Sequence, residues 1–290
     1  MTNFDFFKIA FCFLLALIPA LAWGIIFYRK SPKDKKVVLA TFIGGCLTVF
    51  PIVLYQMSLE QELDLGLFTI RFRDMLSFFG SMRTENLYKS VVLTYVFVGV
   101  LEEVVKHLII KILDDDKLQS VDDSIELSIV AALGFAFVEN IMYFLSIWNS
   151  SGFNALILPF IFRSVFSTFA HVLFSGVFGY YYGVGHFAHP ILQREEKTKK
   201  HPILKFIHKV LHMKKDTLYH EEKIMEGLLI AVLLHAGFNF ALEMGWMFLL
   251  IPYLFLGFYF LSQLIERKEN HIKYEMICEF RTSKESALFY

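Results

Sequence analysis

Leu101-Glu102-Glu103-Val104-Val105-Lys106-His107 places two carboxylates, an amine and an imidazole inside an otherwise apolar run, Val91 to Leu113. A bilayer span needs about 20 residues, and this run supplies them. Ionisable groups at that depth are expensive and persist where they have a partner or a task. On a helix, residues four apart share a face, so Glu102 lies over Lys106 and Glu103 over His107. The stretch therefore predicts a polar helix within a membrane bundle, and the other apolar runs can be read as scaffold that brings more polar groups to it.

The composition agrees. Of 290 residues, 56% are hydrophobic, 33 are Phe and only 19% are charged. A soluble domain is nearer half apolar and a quarter charged. Here the apolar residues come in blocks, which predicts an all-α, polytopic transmembrane bundle of about seven spans. These are Phe6–Tyr28, Val37–Tyr55, Val91–Leu113, Glu126–Trp148, Leu156–Phe187, Ile224–Met244 and Trp246–Ile265. The fifth is over-long for a bilayer, so it tilts or carries a turn beyond the membrane. Lys and Arg gather in Arg29–Lys36, in Ala188–Lys223 and just after Glu266. Basic loops stay in the cytoplasm, and with seven spans these three fall on one side. The N-terminus is then outside and the C-terminus inside.

One transmembrane domain, 1–265, is expected, with its catalytic core at about 91–246 and a cytoplasmic tail at 266–290. Between the spans lie an outer-face segment, 56–90, and the basic cytoplasmic loop 188–223, read as an interfacial helix on anionic lipid. The acidic turn Asp114–Asp123 lacks calcium-loop spacing, and Asp123 or Ser124 is the expected cap of the next helix. Net charge is zero, which gives no sign of a nucleic-acid partner. Cys12, Cys46 and Cys278 show no metal spacing and no disulfide framework.

Polar residues recur in four spans. The third has Glu102, Glu103, Lys106 and His107; the fourth has Glu139 and Asn140. The fifth has Arg163, Ser164, Ser167, Thr168 and His171, and the sixth has His235 and Asn239. At 1.5 Å per residue, Glu102, His171 and His235 each lie about 16–20 Å down their spans, near the middle of the bilayer. Glu139 and Arg163 come out level with each other, about 10–13 Å from the outer face, which predicts an ion pair. Ser164 and His171, seven apart, share a helical face, with Arg163 turned about a quarter circle away. His107 is expected to pair with Glu103, and Lys106 to neutralise a glutamate. So many titratable groups at one depth point to a site rather than to packing. A proton-coupled transporter would also carry such groups, but no internal repeat or broken helix pair accompanies them.

Glu102-Glu103-x-x-Lys106, Phe135-x-x-x-Glu139-Asn140, Arg163 with His171, and His235-x-x-x-Asn239 resemble the PrsW family of intramembrane proteases. That family belongs with the group containing the CAAX-prenyl endopeptidases and bacteriocin-immunity proteases. The resemblance covers roughly residues 95–245, with the motifs in the family's order. It implies a bacterial cell-membrane hydrolase acting on a membrane-anchored protein, by site-1 cleavage of an anti-sigma factor in the founding members. The prenyl-endopeptidase branch has His where this chain has Glu139, so roles from that branch do not carry over to that position.

The residues leave two chemistries open. In the first, no cofactor is needed. Glu102 activates water beside Glu103, His171 orients the water or leaving group, and His235 with Asn239 stabilises the oxyanion. Lys106, Glu139, Asn140 and Arg163 support them. In the second, zinc sits in a three-ligand open site of His171, His235 and Glu103. No His-Glu-x-x-His helix is present, which sets the metal-free chemistry first.

Overall fold

The computed structural model describes residues 3–28, 34–53, 87–114, 117–187 and 215–264. They are almost wholly helical, with no strand among them. Helix α1 is Asn3–Tyr28 and α2 is Lys35–Leu47. The α2 span continues to Val53 past a break at Thr48, whose N–H bonds Gly44 and Gly45. Pro51 has no N–H to continue the ladder, which accounts for the break. Helix α3, Leu87–Leu113, carries the Glu-Glu stretch, and α4 is Val121–Ser151.

The expected over-long fifth span is a composite, Phe153–His186. A 3₁₀ turn, Phe153–Leu156, leads into a short α5, Ile157–Phe162. A π-helical segment, Arg163–Ser167, follows and then α6, Thr168–His186. Helix α7 is Lys215–Glu243 and α8 is Met247–Leu264. Among the described residues, six spans are long and apolar enough to cross a membrane. Helix α3, at 27 residues, is long enough to cross as well, but its charges keep it out of that set. The chain is thus the polytopic helical bundle the apolar blocks predict.

Some boundaries differ from expectation. Helix α7 starts at Lys215, so the last residues of the expected basic loop are its first turns, and Tyr219 there is buried. The rest of that loop, the outer-face segment up to residue 86 and the tail 266–290 lie outside the described residues. Helix α4 is capped by Ser120 rather than by Asp123 or Ser124. Ser120 Oγ accepts from the Asp123 N–H at 3.2 Å, and the Asp123 carboxylate accepts from the Ser120 N–H at 3.0 Å. This reciprocal box satisfies two of the donors that any helix start leaves orphaned.

Helix α4 is the hub. It packs on α6, α2 and α1, while α7 packs on α6 and α3. The α2–α4 contact is backbone against backbone. A Cβ on Gly45 would lie 2.0 Å from the Ala131 carbonyl oxygen, and one on Gly134 2.1 Å from that of Phe42. In lipid no hydrophobic effect draws helices together, so such close small-residue packing has to hold them. The core between α4, α6 and α7 includes Ile129, Leu133, Val172, Phe174 and Ala231. A second cluster ties α1 to α4 through Cys12, Ala16, Phe137 and Trp148. The outer surface is apolar too: Phe248, Phe255 and Leu256 on α8 are exposed, as a lipid-facing wall requires. Gly245, at φ 70°, lets the chain reverse between α7 and α8. The Trp246 N–H reaches back to the Ala241 carbonyl at 2.8 Å, closing the helix end.

Candidate active site

Four helices bring their polar groups to one buried cluster. Glu102, Glu103 and Lys106 come from α3, Glu139 and Asn140 from α4, His171 from α6 and His235 from α7. Glu102, Glu103, Lys106, His171 and His235 are all buried. An isolated charge there would cost several kcal/mol, roughly, so partners are obligatory.

The partners fall into two carboxylate–imidazole pairs. The Glu103 Oε1 lies 2.8 Å from His235 Nδ1 and also accepts from the Lys106 ammonium at 2.8 Å. Glu139 Oε2 lies 3.0 Å from His171 Nε2 and 2.5 Å from the Arg163 guanidinium. An ionised carboxylate only accepts, so this network assigns the hydrogen to Nδ1 of His235 and to Nε2 of His171. Each imidazole then turns its other nitrogen, a lone pair, inward. His235 Nε2 faces Glu102 Oε2 at 3.5 Å, and His171 Nδ1 faces Lys106 Nζ at 3.2 Å. Aromatic rings fix the two imidazoles. Phe174 stacks on His235 with centroids 5.2 Å apart, and Phe135 meets His171 edge-on at 5.3 Å. Phe135 also sits beneath the Lys106 ammonium, 4.2 Å from it.

The expected Arg163–Glu139 pair is present, but not through the expected face. In a regular helix, eight residues would leave Arg163 about 80° from His171. The π segment, marked by the Thr168 N–H bonding the Arg163 carbonyl, absorbs one extra residue. That shifts the register by roughly 100° and brings the two side chains nearly into line. Both therefore reach the same carboxylate oxygen. Asn140 completes the joint by accepting from Arg163 Nε at 2.5 Å and donating to Thr168 Oγ1 at 3.3 Å. Ser164 turns away, and its carbonyl accepts from Trp23 of α1.

Two further expectations need correction, those for His107 and for the zinc ligands. His107 does not pair with Glu103, which is committed to Lys106 and His235; the His107 ring packs against Phe178 and Tyr182. Lys106 neutralises a glutamate as expected, at 2.8 Å from Glu103, and also faces Glu102 at 3.8 Å. The metal-type grouping is Glu102, His171 and His235, with donor atoms within 4.8 Å of one another, and Glu103 is not in it. Glu103 instead lies behind His235. Asn239 stands one turn from His235 on α7, partly exposed, and makes no hydrogen bond among the described residues. Phe174 joins the cluster without belonging to any polar motif. Its spacing of three from His171 puts it on the same face, which is the one signal of its role that the sequence holds.

The donor set fits a zinc-type ion. Three buried N and O donors converge, and each imidazole has a carboxylate at its far nitrogen, the usual support for metal-bound histidine.

Comparison with known proteins now bears on what such a cluster does. A family model described as "PrsW family intramembrane metalloprotease" matches residues 33–265, which include every residue of the cluster. A Clostridioides difficile protein named Protease PrsW is 27% identical over 282 residues, covering 94% of this chain and 97% of that protein. An Oceanobacillus iheyensis protein of the same name is 25% identical over 229 residues, covering 78% and 80%. No solved structure matches the chain. Against named peptidases the transporter alternative gives way, and the bacterial relatives with the apolar helices make this a bacterial multi-pass membrane protein. Because the match runs through all the helices that carry the site, the chain belongs to the PrsW family of intramembrane proteases and is a hydrolase.

Proposed function

We propose that this chain is an endopeptidase that hydrolyses a peptide bond of a membrane-anchored protein with water activated by Glu102. The substrate class implied by the family resemblance is an anti-sigma factor cleaved at site 1. The observation that supports the mechanism most directly is the setting of Glu102. It is buried mid-helix, and two imidazoles, each oriented from behind by a carboxylate, are grouped with it.

Glu102 takes a proton from water, and the water oxygen attacks the scissile carbonyl carbon. When the C–N bond breaks, Glu102 returns that proton to the leaving amine, so atoms and charge balance. His171 Nδ1 accepts from the Lys106 ammonium at 3.2 Å, so His171 orients the water or the leaving group through that ammonium rather than by a bond of its own. Glu139, clamped by Arg163, fixes that ring, and Glu103 fixes His235. Neutral His235 offers a lone pair, so it donates to the oxyanion only as the imidazolium. The Asn239 amide, one turn away and without another partner among the described residues, is the neutral donor for that task.

Zinc is the second reading, favoured by the Glu102–His171–His235 grouping and by the family's description as metalloproteases. Those three residues would hold it, with Glu103 and Glu139 behind the histidines. When bound, zinc polarises a carbonyl and makes its water more acidic.

Two measurements decide. Membrane-anchored fragments are profiled in cells carrying the wild type or Glu102→Gln; the expected result is loss of one set of fragments at unchanged protein level. Unchanged fragments would remove Glu102 from the chemistry. Elemental analysis of active purified protein separates the two readings. About one zinc per chain, required for turnover after chelation, would replace the metal-free mechanism and leave the protease assignment standing.

A further inference from the structure

We propose that the Lys106 ammonium is a built-in cation that holds the place a divalent metal would take, so that lysine and metal compete for one pocket. The inference rests on Glu102, His171 and His235 being able to hold such an ion, and not on the peptidase reaction.

The chemistry starts from His171. Its Nε2 is engaged by Glu139 at 3.0 Å, which leaves Nδ1 as the nitrogen with a lone pair to give. Lys106 Nζ already uses that lone pair at 3.2 Å. The same ammonium lies 3.8 Å from Glu102 Oε2, another donor of the metal-type group. A zinc–nitrogen bond is about 2.0–2.1 Å, so an ion bound at Nδ1 would stand against the ammonium. Two cations in contact inside a poorly screened cavity repel strongly.

Charge balance points the same way. Arg163 is committed to Glu139 and Asn140. Lys106 is then the cation that serves Glu102 and Glu103 among the described residues. A divalent ion in place of the ammonium would balance those two carboxylates. Both together would set three positive charges against two negative ones. Phe135 beneath the ammonium gives a cation an extra favourable face, and a glutamate–histidine–lysine contact of this kind is not needed merely to pack two helices.

The test uses full-length protein in detergent micelles, with zinc as the probe against a competing chelator and bound metal counted by elemental analysis. Lys106→Met keeps the chain's length and removes its charge. It is expected to bind about one zinc per chain at least roughly tenfold more tightly than the wild type, while Lys106→Arg binds no more tightly than the wild type. Adding His171→Ala to Lys106→Met should abolish the gain. If Lys106→Met folds poorly, Lys106→Met with Glu103→Gln restores the charge balance and should show the same gain. Equal or weaker zinc binding in Lys106→Met and in Lys106→Met with Glu103→Gln, or a gain that survives His171→Ala, overturns the proposal. Cleavage by the wild type is scored separately, so failure here leaves the peptidase reading untouched and failure there leaves this one untouched.

Discussion

Glu102 and Glu103 are neighbours in the chain, yet they face different partners. Successive residues on a helix point about 100° apart, so the pair cannot do one job together. Glu103 meets Lys106 and His235, whereas Glu102 Oε2 is 3.5 Å from His235 and grouped with both imidazoles. The two glutamates should therefore differ in kind. Glu102→Gln is expected to leave almost no turnover, since an amide cannot take the proton. In contrast, Asn239→Ala is expected to lower kcat by about 10²–10³ and keep measurable activity, the usual loss of one oxyanion donor. Single-turnover cleavage by purified variants measures both; an Asn239→Ala enzyme as fast as the wild type would remove the amide from the reaction. The sequence shows two acids mid-span but not which of them meets α7. That depends on how α3 is rotated against α7, and local sequence does not encode it.

At the scale of single elements, the π segment decides how α6 works. Depth along a span is legible from residue count alone, so the sequence suffices to match Glu139 and Arg163 in height. Angular phase is not legible in that way, because one residue inserted at Arg163–Ser167 turns everything beyond it. The capping box at Ser120 and Asp123 is legible in spacing, but the acidic run around it obscures which residue acts as the cap. Removing Arg163 leaves Glu139 short of its strongest partner, while Glu139 keeps 29% of its side chain exposed. Arg163→Ala should therefore cost about 1–3 kcal/mol and lower folding yield, and Arg163→Ala with Glu139→Ala should recover part of it. A double variant no better than the single one would count against the pair. The α2–α4 joint makes a harsher forecast. Gly134→Val would drive a side chain into the Phe42 carbonyl, 2.1 Å from where its Cβ must sit. Forced overpacking of this kind costs about 1–3 kcal/mol or more. A lower midpoint in thermal unfolding in detergent, with α2 displaced, is expected; an unchanged midpoint would mean that the joint slides freely.

For the whole molecule, the seven spans expected from the sequence would put alternate connections on alternate faces. On that expectation the connections leading into α2, α4 and α7 and the end beyond α8 share one face. The Gly152 and Gly245 corners share the other. Lys and Arg concentrate in three of the first four, so by the charge rule we expect that face to be cytoplasmic and the N-terminus external. The cluster is not equally closed toward both faces. Toward the basic face it is backed by buried His107, Phe178 and Tyr182. Toward the corners stand the part-exposed Glu139 and Asn239, and Tyr95 of α3 bonds Glu243 of α7 at 2.9 Å. Water and the scissile bond are thus expected to enter from the Gly152 side. Single cysteines at Ser151 and at Lys200, in a chain with Cys12, Cys46 and Cys278 changed to Ser, test the orientation with a membrane-impermeant thiol reagent on intact cells. Ser151→Cys should be labelled from outside and Lys200→Cys only after the membrane is opened. The reverse pattern would turn the open end of the cluster toward the cytoplasm, and with it the side from which the substrate is cut.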